Sequence, residues 1–396
     1  MQKRVLILTA VFVWMLSWSV NAGVRYDIAD FESAGPKGDV GVVSVGDATF
    51  FKLGLSPDLK LGGLELGLGL NLYVPITDGA DYPSDLSFLS LRHIGYTHKD
   101  LFGIKGGRLT GVNLGHGLLM DNFDTGSGGS AEMSMDKAGV LAFARLGSLK
   151  IHTLATAQAL YGVRTTLRLP ESLVLGMPVE VGASYITDQE GVGDSSDSTS
   201  VTRVKQDGYS ADVSLPIGGK LFTPYVEYAN LVDQGTGLSA GFYGKLGSKF
   251  DYRAAYRVLE KGFAPGYFNQ AYYAQSFDFE TDALKEDVAG ILAQVNADLM
   301  GVAKAGAMYE NYSGTQLLTW ALGWKRIQNV AGVVNYTQTF QEEVNPVADA
   351  TLIYYTHKPF DVIINVKRVY QDDGSFTESY NSGFRLNLDR LVPSIF

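Results

Sequence analysis

Leu64-Glu65-Leu66-Gly67-Leu68-Gly69-Leu70-Asn71-Leu72-Tyr73-Val74 places an aliphatic residue at every second position, with only Glu, Gly, Asn and Tyr between. Period two is the signature of a β-strand with one apolar face and one small or polar face. The same alternation recurs along the chain. Val163, Thr165, Leu167 and Leu169 alternate with Arg164, Thr166 and Arg168; Phe250, Tyr252, Ala254, Tyr256 and Val258 alternate with Asp251, Arg253 and Arg257. Trp320, Leu322 and Trp324 share a face, as do Phe384, Leu386 and Leu388. One segment has a helical rival, because Leu284, Val288, Ile291, Val295 and Leu299 fit a 3.6-residue period with Thr281 or Asp282 as cap. The strand reading takes Ile291, Ala293, Val295, Ala297 and Leu299, then Ala303, Ala305 and Ala307 after a turn. We adopt the strands. The fold class is all-β.

Composition narrows the function classes. Of 396 residues 46 are Gly, 22 Tyr and 20 Phe; none is Cys, and charged residues make up 19%. This excludes a disulfide scaffold, a Cys-ligated metal site, a thiol enzyme and an Arg/Lys-rich nucleic-acid binder. A hydrophobic content of 46% argues against disorder. No linker or internal repeat divides the chain, so residues 23–396 form one domain.

Residues 1–22 read as a signal peptide. Lys3 and Arg4 precede an apolar run from Val5 to Val20, and Val20-Asn21-Ala22-Gly23 offers a small-x-small cleavage site after Ala22. The rival is an uncleaved anchor, for which the run is short. No second long apolar stretch follows, which excludes a helical membrane protein and leaves a membrane barrel open, since its strands average to near-neutral hydropathy.

Connection lengths decide between a soluble sandwich and a barrel. Short breaks at Lys99-Asp100, Gly147-Ser148, Gly218-Gly219, Gly247-Ser248, Met300-Gly301, Gln328-Asn329 and Lys358-Pro359 fall at every second connection. The long polar segments Gly115–Lys137, Asp188–Lys205 and Glu260–Asp287 all fall on the other side. Tight turns at one end and long loops at the other belong to an antiparallel up-and-down transmembrane β-barrel, here of about 18–20 strands, from near Asp39 to near Leu388. An even count puts both chain ends on one side.

Asn381-Ser382-Gly383-Phe384-Arg385-Leu386-Asn387-Leu388 resembles the assembly signal of Gram-negative outer-membrane barrels, and the final Phe396 is similar to its bacterial version. Pro393 departs from an ordinary last strand because it cannot donate to a ladder. The tail is therefore read as a periplasmic extension. The resemblance is to porin-like outer-membrane barrels. It implies an outer-membrane location, contact with membrane lipid and lipopolysaccharide, delivery by the barrel-assembly machinery, and a homotrimer as one arrangement among porins.

Searches for reaction chemistry find little. His93, His98, His116, His152 and His357 form no metal-ligand spacing. Gly63–Gly69 lies inside an alternating strand and precedes no helix, so it is not a phosphate loop. Asp194, Asp197 and Asp372-Asp373-Gly374 could hold Ca²⁺, against the commoner reading as solvated loop carboxylates. A scattered Ser/His/Asp site is the enzymatic rival, but no nucleophile is marked. We expect no enzyme, cofactor, metal or nucleic-acid partner.

Charge is the most suggestive feature. Arg164, Arg168, Arg253, Arg257, Lys304, Lys367 and Arg385 occupy strand positions expected to face inward as a basic pore wall. Acidic residues concentrate in the long loops. Within Leu114–Lys137, residues Leu114, Leu118, Leu119, Met120 and Phe123 are too apolar for a loop in water. The expectation is that its first half folds into the lumen and turns Asp121 and Asp124 toward the arginine wall, a constriction of the kind general porins use. The rival is a loop packed over the rim. Tyr267, Phe268, Tyr272, Tyr273 and Phe277 could stack a ligand at the mouth, against simple loop packing or a girdle. The expected function is passive diffusion of small hydrophilic solutes. The alternatives are a substrate-specific channel for sugar, peptide or lipid, and a plugged surface barrel serving adhesion or envelope structure.

Overall fold

The computed structural model of the protein describes residues 37–45, 48–56, 58–76, 89–99, 101–125, 138–171, 176–191, 204–218, 221–269, 272–273, 279, 283–313, 315–339, 346–356, 360–370 and 376–386. The signal-peptide segment 1–22, Pro393 with the terminal Phe396, and the acidic positions Asp194, Asp197 and Asp372 lie outside them, as do Phe277 and residues 126–137.

The described residues form strands: β1 (Lys37–Val45), β2 (Ala48–Ser56), β3 (Asp58–Leu61), β4 (Leu64–Pro75), β5 (Leu89–His98), β6 (Phe102–Gly107), β7 (Val112–Leu114), β8 (Met120–Phe123), β9 (Gly139–Leu146), β10 (Leu149–Thr156), β11 (Leu160–Arg168) and β12 (Glu180–Asp188). They continue as β13 (Gln206–Ser214), β14 (Thr223–Leu231), β15 (Gly235–Leu246), β16 (Phe250–Leu259), β17 (Phe268–Asn269), β18 (Val288–Leu299), β19 (Ala303–Tyr312), β20 (Thr315–Ile327), β21 (Val330–Thr339), β22 (Val347–Tyr354), β23 (Phe360–Tyr370) and β24 (Phe376–Leu386). Val288–Leu299 is a strand paired on both sides, which displaces the helical rival over that stretch.

Twenty-one of these strands form one sheet, and three form a second. In the large sheet successive staves pair antiparallel, with β6 passing to β9 and β16 to β18 where the chain leaves for the second sheet. β24 returns to β1 at Val40↔Phe384 and closes the cylinder. β2 and β3 pair in line along β4, at Leu55↔Leu70 and Asp58↔Gly67, and so count as one stave of twenty. An all-antiparallel cylinder can close only with an even number. Closure also pairs the backbone groups that an open edge would leave bare in a lipid core.

The alternation sorts the two faces. Leu64, Leu72 and Val74 are exposed on the outside, whereas Gly67, Gly69 and Tyr73 are buried inside. Ile94, Ile104, Val181, Val226 and Val295 continue the exposed apolar exterior. Such a surface is unfavourable in water and at home in hydrocarbon. Trp320 and Tyr336 stack on this exterior with centroids 5.9 Å apart. Connections obey the expected parity. Chain reversals near residues 99–101, 147–148, 247–249, 300–302 and 328–329 are tight, and the long segments 108–138, 189–205 and 260–287 all leave the opposite end.

Candidate functional site

The buried core of this barrel lies inside the lumen, where two of the long connections fold inward. In the first, residues 108–138, the stem is fastened by reciprocal bonds: the Thr125 N–H donates to the Leu109 carbonyl (3.0 Å) and the Leu109 N–H to Thr125 Oγ1 (3.0 Å). β7 and β8 then form a small antiparallel pair, and β17, from residues 260–287, adds to β8 in parallel at Phe268↔Met120. Leu118, Leu119, Met120 and Phe123 are wholly buried. They pack with Phe263, Tyr267, Phe268 and Tyr272 and with Leu154, Leu160, Ile186, Leu231 and Leu259 of the wall. Burial of side chains this size contributes roughly 1.5–3 kcal/mol each, which explains why an apolar loop leaves water for the lumen. The wall residues of this packing lie toward the long-loop ends of their strands, and the turn at His116 reaches mid-strand to Glu227 and Arg253.

Polar groups fix where this plug sits. Glu227 on β14 accepts the backbone N–H of His116 (3.0 Å) and of Leu118 (3.1 Å), one with each carboxylate oxygen. His116 Nε2 lies 3.0 Å from Asp212, whose carboxylate is held by both terminal nitrogens of Arg164, at 2.7 and 3.0 Å. The His116 ring stacks on Tyr225 at 4.4 Å. Arg253 donates to Asp121 (2.7 Å) and to the His116 carbonyl (3.1 Å). Arg257 donates to Glu310 and to the Tyr312 hydroxyl, both at 3.0 Å, and reaches the Gly117 carbonyl at 3.3 Å. Backbone torsion explains the Gly-His-Gly turn. Gly115 and Gly117 take φ of 115° and 92°, and a Cβ at either would collide with Glu227 or with Arg253. In the second loop Tyr272 donates to Asp188, the Tyr273 hydroxyl meets Thr156 Oγ1 at 2.8 Å, and burial pushes the Tyr273 phenol above its ordinary range.

The expected basic residues divide into two groups. Arg164, Arg253 and Arg257 come together on the plug, as do Asp121 and the first half of its loop. Asp124 pairs with Arg108 of its own loop at 3.1 Å. Arg168 is exposed at the short-turn end, paired with Glu171 at 3.1 Å. Lys304 is half-buried at an inward position of β19, and Lys367 is exposed on β23 opposite Asp349. Arg385 stands opposite Asp361 in the β23–β24 register. The wall is not uniformly basic, since Asp212, Glu227 and Glu310 answer its arginines. Their inward parity was readable in the strand alternation, as in Ser210-x-Asp212-x-Ser214. Tyr267, Phe268, Tyr272 and Tyr273 are buried in loop packing and offer no face at the mouth.

Among the described residues no group of His, Asp and Glu is arranged to hold a metal ion. No protein-family model matches the sequence, and no curated protein sequence does. Solved structures of similar outline include a mutant porin of Rh. blastica, at 9% identity over 73% of this chain and 97% of that one, with a TM-score of 0.36. Others are the siderophore receptor PirA from Acinetobacter baumannii (10% identity, 89% and 74% covered, TM-score 0.38) and OpdK from Pseudomonas aeruginosa (12%, 89% and 96%, TM-score 0.36). The fold is a closed antiparallel up-and-down β-barrel of twenty staves with an apolar exterior.

Proposed function

We propose that this chain, cleaved after Ala22, resides in the bacterial outer membrane as a constricted channel through which small hydrophilic solutes diffuse passively. It takes no part in covalent chemistry and needs no cofactor. The observation that carries the reading is the one-sided placement of the plug. Its apolar contacts run along β10, β11, β12, β14, β16, β18 and β19. The facing wall of β20–β23 instead carries Thr319, Asn335, Asp349, Thr351 and Asn365, cross-linked by Asn335–Asp349 (3.1 Å) and Thr351–Asn365 (2.8 Å) bonds. A cylinder of about 20 staves is too wide for side chains alone to fill. The path for solute then runs between the plug and this polar wall. The Arg253–Asp121 contact makes the plug an ion-paired constriction, whereas opposed charges across a gap would create a transverse field.

The test is planar-bilayer conductance of refolded Gly23–Phe396, beside a variant lacking Met120–Gly129. Stable ohmic steps that grow in the deletion are expected; unchanged conductance sinks the constriction. A plugged barrel acting through its surface loops is the second reading, favoured by the dry Leu118–Phe123 core. It predicts a folded protein that stays electrically silent.

A further inference from the structure

The path between plug and wall has two faces, and both carry carboxamides and hydroxyls. On the wall, Asn335 stands opposite Asp349 in the β21–β22 register, and Thr351 stands opposite Asn365 in the β22–β23 register. Both pairs face the lumen, since the alternate positions Tyr354 and Ile364 are exposed on the exterior. A hydrogen bond closes each pair: Asn335 Nδ2 donates to Asp349 at 3.1 Å, and Thr351 Oγ1 donates to Asn365 Oδ1 at 2.8 Å. The second bond orients an amide. With its oxygen turned to Thr351, Asn365 keeps both amide N–H groups without a partner among the described residues. Thr351 Oγ1 still has lone pairs with which to accept. A donor and an acceptor thus stand side by side on the inner face.

The plug answers with the same chemistry. Val112 and Leu114 of β7 are buried, and Asn113 between them is exposed. By the period of two, Asn113 looks away from the packed side of the plug. Its amide is held at both ends: Nδ2 donates to the Gly111 carbonyl (3.2 Å) and Oδ1 accepts the Asn122 N–H (2.8 Å). Charge is cancelled on both faces. Each ionisable side chain of residues 108–125 has its own partner, Arg108 with Asp124 (3.1 Å), Asp121 with Arg253 (2.7 Å) and His116 with Asp212 (3.0 Å). On the wall, Asp349 and Lys367 share one row and offset each other. Tyr267, Phe268, Tyr272 and Tyr273, which would stack a flat solute, are buried.

We infer that Thr351 and Asn365, with Asn113 across the gap, form a binding station for uncharged polyhydroxylated solutes, saccharides or polyols. A solute hydroxyl accepts from the Asn365 amide and donates to Thr351 Oγ1. Hydroxyls do both, so they match a surface that sets donor beside acceptor, whereas an oxyanion only accepts. The closed wall pairs hold these side chains in place before a solute arrives, which lowers the cost of ordering them. A site built to bond hydroxyls discriminates against solutes that lack them. The inference rests on the channel reading above and names its solute class.

The experiment titrates glucose, sucrose and sorbitol, with citrate as the charged control, against the single-channel current of the wild type and of Thr351→Val/Asn365→Leu. Heat-modifiable gel mobility first shows both folded. Expected is saturable block by at least one of the uncharged solutes, beyond the proportional fall in current that added viscosity causes. The double variant should raise the half-blocking concentration at least about tenfold, because two hydrogen-bonding groups are removed together. Lys205→Gln/Lys261→Gln, which removes charge at the long-loop end, retains the block. A conducting wild type that none of the three solutes blocks, or a block that survives in Thr351→Val/Asn365→Leu, overturns the station and leaves the channel standing. Block by citrate alone overturns it in favour of an anion site. Folded wild type that conducts nothing overturns both station and channel.

Discussion

At the scale of single residues, the lumen is organised by carboxylates that hold backbone as well as side chains. Glu227 is wholly buried and caps two N–H groups of a turn that glycine torsions alone permit. Replacing it by Ala strands both donors, at roughly 1–3 kcal/mol for each N–H left unpaired. The wall ladder of β14 stays intact, so Glu227→Ala should release the 108–125 segment while the barrel survives. The measurement is limited proteolysis beside heat-modifiable mobility, with new cleavage near His116 and no loss of the folded band. Gly117→Ala acts from the other side, because its Cβ needs the space of the Arg253 guanidinium at an unfavourable φ. It should mimic the loss of Asp121, and Gly117→Ala with Asp121→Asn should cost less than the sum of the two single changes. Additive costs would mean that the turn and the ion pair are independent. Asp121 and Arg253 were visible in the sequence as opposite charges on a loop and a strand. Glu227, Asp212 and Glu310 sit in equally regular alternations, but nothing local says which wall residue a distant loop will meet.

At the scale of elements, the inner three-stranded sheet is too small to stand alone. β17 contributes only Phe268 and Asn269, and β7 only Val112–Leu114; its order comes from the apolar side chains pressed on the wall. Phe123 is fully buried, edge to face with Tyr273 at 5.6 Å. Phe123→Ala should cost on the order of 3–5 kcal/mol of plug packing. The damage should appear as noisy, enlarged conductance steps with the barrel's unfolding temperature nearly unchanged. A large drop in that temperature with steady current would instead show that plug and wall unfold as one unit. The apolar excess of Leu114–Phe123 announced an inward fold. Its docking partner was hidden, because the aromatics of 260–287 read equally well as a ligand surface. A parallel β8–β17 bridge between loops about 150 residues apart has no periodic signature.

At the scale of the whole molecule, the parity of connections carries the architecture. Strand alternation alone fits a soluble sandwich. The added fact that the three longest connections, 108–138, 189–205 and 260–287, all leave one end favours an up-and-down cylinder, and the sequence displays this because turn chemistry is local. Parity also fixes orientation, and orientation can be tested because the chain contains no cysteine. Glu190 follows β12 at the long-loop end and Ser248 lies in the β15–β16 turn, and both are exposed. Glu190→Cys should react with a membrane-impermeant maleimide on intact cells, and Ser248→Cys only after the outer membrane is permeabilised. Outer-membrane barrels carry their long loops on the extracellular side and their tight turns on the periplasmic side. Labelling of Ser248→Cys on intact cells, with Glu190→Cys protected, would invert the barrel and turn the long loops to the periplasmic side.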